Sequence, residues 1–552
     1  MTSASAPLKL LHDTSPMNDT TQSARRRVAG VTVPLFSLRT KRSWGIGEIG
    51  DLGAFARLIL EGGARLVQLL PLGEIAGGET SPYSALSAFG IDPIYISLAD
   101  VEDLPESELG ALLGDDGLRT IAWLHDHSVV DYEAVRWLKK RAFDAAFARF
   151  VERVHGRGGS RDAAFARFCE THRAWLDDYA LFRALKDAYE LRAWWEWPEG
   201  VRDRDPRALS EARATYASGV LKHQYLQWLA HAQWESARAD LRALGVEIMG
   251  DLPFMVGRDS ADVWANRGEF RSDASVGVPG DQFDPEGQEW GLPPYDWRVM
   301  RGNDFAWLRR RARYAGVLYD RFRIDHLVGF YRTYMRPVDK LRGPDNKLLP
   351  GFFDPAEEPA QKAHGEAVIG AMIAGAKETG AGLVAEDLGV IPDYVRPSLA
   401  AMGVPGYKVL IWEQENGAFR DPARYPACSL ACFGTHDTSP VAAWWEALPT
   451  WERDAVCRLP ALASRGGSSL GAKFTPAVHH ALMALVLGAR SEFVLLLMQD
   501  VLGVHDRVNT PSTVGPHNWT WRLPANIEAL ATDEAVRAKL AMVRGEVERA
   551  GR

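Results

Sequence analysis

Cysteine is scarce in this chain. Four among 552 residues (Cys169, Cys428, Cys432 and Cys457) are too few and too irregularly spaced for a disulfide scaffold. Cys428 and Cys432 also miss the C-x2-C spacing of a zinc knuckle, so no metal site is expected there. Long apolar runs are missing as well. No stretch approaches the roughly 18 consecutive apolar residues of a membrane helix, and no membrane partner is expected. Positive charge is not concentrated: the net charge is −8, and basic runs such as Arg25-Arg26-Arg27 are only three residues long, which argues against nucleic acid as a partner. The first 28 residues are rich in Ser, Thr and Asp and lack the apolar core of a signal peptide. They read as a disordered tail, residues 1–28, and a reduced, cytoplasmic location is the simplest expectation.

What is present suits a globular protein: 46% hydrophobic and 25% charged residues, with tryptophan high at 19. Short apolar runs recur, most ending in a polar or charged residue. They are "AGVTVPLF" (29–36), "RLVQLLPLG" (65–73), "VEIMGD" (246–251), "LYDRFRIDH" (318–326), "GLVAED" (382–387), "GYKVLIWE" (406–413), "LACFGTHD" (430–437) and "EFVLLLMQD" (492–500). Helical patterns separate several of them, as in "DLGAFARLILEGG", where Leu52, Phe55, Ala56 and Ile59 share one face before Gly62-Gly63. Eight strands alternating with helices imply an α/β fold, a (β/α)8 TIM barrel over residues 29–552. An open doubly wound sheet is the alternative, but no glycine-rich phosphate fingerprint follows the first run. "WGIGEIG" (44–50) has the wrong spacing. About 170 residues separate the second and third runs, far beyond an ordinary βα loop. Residues 100–220 are helical in pattern and are expected to form a large helical insertion between strands 2 and 3.

In "RFRIDH", Arg321, Arg323 and Asp325 share one strand face and Phe322, Ile324 and His326 the other. An ordinary half-buried strand would turn the ionic face to water. A barrel instead builds its active site at the C-terminal strand ends, and those ends carry Asp251, Asp325, Glu386, Asp437 and the Gln499-Asp500 pair. Any one carboxylate can be a helix cap or half of an ion pair. Several at one mouth repel each other and cost stability unless function requires them. Two chemistries use such a cluster: a divalent metal held by Asp251, Asp325, Asp437 and His436, or glycoside cleavage with one carboxylate as nucleophile and one as proton donor. Arg323 favours the second, because its cation beside Asp325 repels a metal and keeps a nucleophile ionised. Abundant Trp and Tyr point the same way, since pyranose rings lie on aromatic faces.

"RFRIDH", "VAEDLG" and "FGTHD" resemble the catalytic regions of the α-amylase-like barrels. "WGIGEIGDL", "QLLPLG", "SPYSALSAFGIDPIYISL", "IMGDLPFMVGRDSADVW", "GDQFDPEGQEWGLPPYDW" and "QDVLGVHDRVNTPSTVGPHNWTW" narrow the resemblance to the amylomaltase, or disproportionating-enzyme, family of 4-α-glucanotransferases. The similar segments run from about residue 29 to 523. The resemblance implies a retaining double displacement that moves α-1,4-glucan segments from a donor to the 4-hydroxyl of an acceptor glucan, with no cofactor. It implies Asp325 as nucleophile, Glu386 as general acid/base and Asp437 as the stabilising carboxylate. Arg323, His326, His436 and Asp251 would line the donor subsite, and Tyr83 would be a stacking platform. Trp290 and Phe283 would line the acceptor side on a loop able to close over the cleft, and Asn509 would add a sugar contact. Partners would be α-1,4-glucans: maltooligosaccharides, or starch or glycogen chains.

The chain departs from the family pattern in three places. Thr438, Ser439 and Pro440 follow Asp437 where Asn is common; Leu327 and Val328 follow His326 where an aromatic and a basic residue are usual; and Asp92, not Asn, precedes Pro93. Competing readings are an α-glucan hydrolase on the same barrel, a metal-dependent barrel hydrolase, and a non-catalytic glucan-binding protein.

Overall fold

The computed structural model describes residues 27–280, 285–415 and 417–552. Phe283 lies outside them, as does the expected tail up to residue 26. Strands β1 (Val28–Thr32), β2 (Leu66–Gln68), β3 (Glu247–Leu252), β4 (Arg321–Ile324), β5 (Gly382–Ala385), β6 (Gly406–Val409), β7 (Ser429–Cys432) and β8 (Phe493–Leu497) close into one barrel. They run parallel and in chain order, with β8 pairing back onto β1. Each coincides with an apolar run read from sequence, because a parallel strand buried on both faces is apolar throughout.

The inward residues form one cluster that includes Val28, Leu66, Met249, Val384, Tyr407, Leu430, Phe493 and Leu495. Their outward neighbours, such as Ala29, Val67, Ile248, Phe322 and Val494, belong to the larger core shared with the helices. Strand β4 breaks the apolar rule on its inner face. The Arg321 guanidinium lies 4.7 Å from the Phe493 ring centre and that of Arg323 lies 5.9 Å from the Tyr407 ring centre. Phe322 and Ile324 are wholly buried on the other side. On the far side of the barrel the packing is tight at Gly30 of β1. A Cβ there would sit 2.7 Å from the Leu66 carbonyl oxygen and 2.8 Å from Leu495 Cδ2.

Between β2 and β3 run the helices Glu106–Asp126, Tyr132–Arg153, Ser160–Ala188 and Ala217–Ala243, with shorter ones among them. The 27-residue helix Ala217–Ala243 crosses the boundary at 220 and leads into β3, so one continuous element belongs to both the insertion and the barrel wall. Ion pairs join the insertion to the barrel loops. Lys139 Nζ lies 2.7 Å from Glu48, with both side chains almost fully buried. Asp92, the departure before Pro93, accepts Arg136 Nη2 at 2.9 Å and the Ile94 amide at 3.0 Å. A neutral Asn there would leave the Arg136 charge without its carboxylate.

The tryptophan surplus is partly structural. Trp234, Trp264, Trp307 and Trp445 are among the largest fully buried side chains, so their number is weaker support for sugar binding than the sequence count implied. A second, antiparallel sheet of four short strands stands on the loops after β3 and β4, in the order Gln288–Glu289, Ala274–Val278, Thr333–Pro337 and Phe352–Asp354.

Candidate active site

Ladder hydrogen bonds extend one step past the strand ends and set the height of the acidic residues. The Asp325 amide donates to the Leu252 carbonyl at 3.0 Å, and the Glu386 amide donates to the Ile324 carbonyl at 3.0 Å. Strand parity then stops. His326 adopts a left-handed conformation, φ 42°, which turns its ring off the outward face of Phe322 and Ile324. That ring sits edge-on to Trp290, 5.0 Å between centres, and 5.5 Å from Phe254.

One guanidinium organises the centre. Arg323 Nη1 donates to Asp251 Oδ2 at 2.6 Å, and Nη2 donates to Asp325 Oδ1 at 2.7 Å. The same Nη2 is 4.0 Å from Glu386 Oε2. Asp325 and Glu386 thus face one guanidinium nitrogen from two strand ends. Glu386 is oriented from both sides: Oε2 accepts the His326 amide at 2.7 Å and Oε1 the Leu388 amide at 3.0 Å.

A second chain of contacts brings in the remaining residues. The Tyr83 hydroxyl donates to Asp251 Oδ2 at 2.7 Å and lies 3.1 Å from His436 Nε2. His436 Nε2 is 3.3 Å from Asp437 Oδ2, and Asn509 Nδ2 donates to Asp437 Oδ1 at 2.6 Å. Asp251 Oδ1 is buried with no hydrogen-bond partner in the protein, an acceptor left over for a hydroxyl group.

The electrostatics separate the acids. Burial pushes the Glu386 carboxyl up to about 7, against the pull of Arg323 and with the Asp325 charge adding to the rise. Burial also raises Asp437, but the adjoining His436, Asn509 and Arg323 outweigh it and hold this carboxyl well below the usual range. His436 is correspondingly raised: burial lowers it, and the Asp437 charge more than compensates. Burial depresses His326 to about 4, so its ring is neutral at pH 7. One acid thus keeps its proton near neutrality while another is firmly an anion.

Among the described residues, every site residue expected from sequence falls in this cluster; Phe283 is outside them. Asp500 does not join it. It lies in helix Met498–Leu502, past the end of β8, and its buried Oδ1 accepts the Val441 amide at 2.7 Å, in front of helix Val441–Ala447. The segment around Trp290 also differs from a free lid. Trp290 N donates to the Val276 carbonyl at 2.9 Å, and Arg336 donates to the carbonyls of Gln288 and Glu286 at 2.6 and 3.0 Å. Residues 286–292 are stitched into the small sheet.

Sequence reading missed three contributors. Trp412 is 54% exposed and lines a cleft of about 510 Å³ with Arg323, Asp325, Glu386 and Asp437. At the end of an apolar run it reads as core, although its place after β6 is a strand-end position like the others. The Trp519 ring lies 5.7 Å from Tyr83 and 5.8 Å from His436. Arg507 Nη2 donates to the Asp437 carbonyl at 2.6 Å. Both residues come from an irregular loop, where periodicity carries no signal.

The geometry can be set beside known proteins. Residues 33–528 match the family model described as 4-alpha-glucanotransferase. The 4-alpha-glucanotransferase of Thermus thermophilus is 33% identical over 87% of this chain and 92% of its own. The chloroplastic/amyloplastic 4-alpha-glucanotransferase of Oryza sativa subsp. japonica is 32% identical over 92% of this chain and 81% of its own. The structure of amylomaltase from Streptococcus agalactiae in complex with acarbose superposes with a TM-score of 0.77 at 26% identity, covering 94% of this chain and 98% of that one.

Proposed function

The chain belongs to the 4-alpha-glucanotransferase family, and from that premise we propose that Asp325, Glu386 and Asp437 carry out a retaining transfer between α-1,4-glucans. Asp325, ion-paired to Arg323, attacks the anomeric carbon of the donor. Glu386, protonated near neutrality, gives its proton to the glycosidic oxygen, and the shortened glucan leaves. Glu386, now a carboxylate, then takes the proton from an acceptor 4-hydroxyl. The acceptor oxygen attacks the same carbon and frees Asp325. Asp437, an anion paired to His436, holds sugar hydroxyls and stabilises the oxocarbenium-like transition state, with the free Asp251 Oδ1 as a further acceptor. Trp412 offers an exposed stacking face along the cleft, while Tyr83 is stacked on His436 and Trp290 stands beside His326.

The observation that carries this reading is the single buried guanidinium of Arg323, bonded to Asp325 and Asp251 and within 4.0 Å of Glu386. It supports the reading by holding the Asp325 and Glu386 carboxyls at one small site, and it adds positive charge where a metal ion would have to bind. Incubation with maltotriose alone tests it. Glucose plus a ladder of longer maltodextrins, with little net gain in reducing ends, is the expected result, and Asp325→Asn should abolish it with the fold intact. Only shorter sugars, with a matching rise in reducing ends, would assign the chain to hydrolysis instead.

A further inference from the structure

Asp251 and Asp325 hold the two Nη atoms of Arg323, and one of these ion pairs does not last through the reaction. When Asp325 attacks the anomeric carbon, its carboxylate becomes an ester and gives up the charge that attracts Nη2. The same carboxylate must reappear as a leaving group when the acceptor attacks. The guanidinium therefore has to stay in place while its partner is neutral, ready for the charge that returns. Tyr407 of β6 stands beside it, buried in the interior cluster, with its ring centre 5.9 Å from the Arg323 guanidinium carbon. A guanidinium is attracted to an aromatic face within about 6 Å, and that attraction needs no carboxylate.

Tyr407 is itself fixed at both ends. Its amide donates to Asp387 Oδ1 at 2.7 Å, and Arg396 Nε donates to the other oxygen of that carboxylate at 3.0 Å. Its hydroxyl accepts from Gln68 Nε2 at 2.9 Å, and Gln68 Oε1 accepts from the Thr32 hydroxyl at 2.7 Å. Thr32 ends β1 and Gln68 ends β2, which stands opposite β6 in the closed barrel, so the chain of bonds crosses the interior. Met249, Val384, Val409 and Leu495 in the same interior cluster are apolar. Burying Gln and Thr there costs more than burying hydrocarbon of the same volume. What a fully bonded polar chain adds is direction, because a hydrogen bond at the hydroxyl pins the long axis of the ring.

We propose that Tyr407 is a positioning residue for Arg323, holding the guanidinium in place while Asp325 carries the glycosyl group, with Gln68 and Thr32 fixing the ring from across the barrel. This rests on the transferase reading above and adds to it a residue that acts through Arg323.

The test is a double-mutant cycle on maltotriose with Tyr407→Leu and Arg323→Lys, each variant checked for folding by circular dichroism. Tyr407→Leu should lower kcat about tenfold without raising KM. In the Arg323→Lys background the same change should cost less than about twofold, because a residue that acts through Arg323 then has little left to lose. A ring that merely fills space would give equal losses in both backgrounds. Tyr407→Phe keeps the ring and removes its pin, so it should lose about threefold, and it replaces Tyr407→Leu in the cycle if that variant does not fold. The wild-type ladder of maltodextrins is the control, and its absence would end the transferase reading itself. With that ladder present, equal losses in both backgrounds, or an unchanged kcat in the Tyr407 variant used, would overturn the role given to Tyr407 and leave that reading standing.

Discussion

Arg323 acts through geometry as much as through charge. Its two Nη atoms reach Asp251 and Asp325 separately, a fork that the single ammonium of lysine cannot reproduce. Arg323→Lys is expected to keep the fold by circular dichroism yet lower kcat on maltotriose by about a hundredfold or more, since displacement of a nucleophile by about 1 Å costs that much. Glu386 sets a pH limit. Its folded-state pKa is raised to about 7, so the proton-donating form is present below that value and is lost as pH rises through it. The kcat/KM profile should therefore fall on its basic side near pH 7. A donor whose leaving group needs no protonation should lose that limb in the first step, and an unshifted limb with such a donor would remove Glu386 from the acid role. The types of these residues and their strand-end positions were legible in the sequence. The left-handed turn at His326, which brings its ring to Trp290, was not, because parity arguments end where the strand ends.

At the scale of elements, the small antiparallel sheet decides how Trp290 meets the cleft. Once a glycosyl group is on Asp325, water at roughly 55 M competes with the acceptor sugar, and a transferase must hold the acceptor at a higher effective molarity. Trp290 is fixed through the Val276 carbonyl and lies against His326, so it offers a rigid face for that purpose. Trp290→Ala should raise the reducing ends released per donor consumed more than it lowers donor consumption, measured on maltotriose. The barrel wall supplies a stability test. Helices Ala306–Leu318 and Glu358–Lys377 approach so closely that a Cβ on Gly375 would lie 2.2 Å from the Arg309 carbonyl oxygen. Alanine favours a helix over glycine by about 1 kcal/mol, yet overpacking against backbone costs about 1–3 kcal/mol and wins. Gly375→Ala should lower the urea midpoint. The sequence shows glycines within that helix but not which of them faces another backbone.

Across the whole molecule, the insertion is held to the barrel by buried charge. Lys139 pairs with Glu48 at 2.7 Å and also donates to the carbonyls of Ile94 and Ile96. Removing one partner of a buried pair leaves the other uncompensated, at a cost of about 3–5 kcal/mol. Lys139→Ala should destabilise the chain by about that amount in denaturant unfolding. The double variant K139M/E48M should recover only part of the loss, because the two carbonyls stay without their donor. Ion pairs of this kind join segments far apart in the chain, and no local pattern announces them.

The eight apolar runs determined the barrel by themselves. A parallel strand covered on both faces is mostly apolar, β4 with its inward Arg321 and Arg323 being the exception, and the strand ends then bring Asp251, Asp325, Glu386 and Asp437 to one mouth. Local pattern could not say which strand-end acids stay there. Asp500 has the same residue type and a similar position, yet it is drawn to the Val441 amide of a neighbouring helix. Nor could it separate tryptophans that pack, such as Trp234 and Trp445, from Trp412, which is left open to the cleft. Those choices depend on which neighbour fills each space, and only the tertiary structure brings such neighbours together.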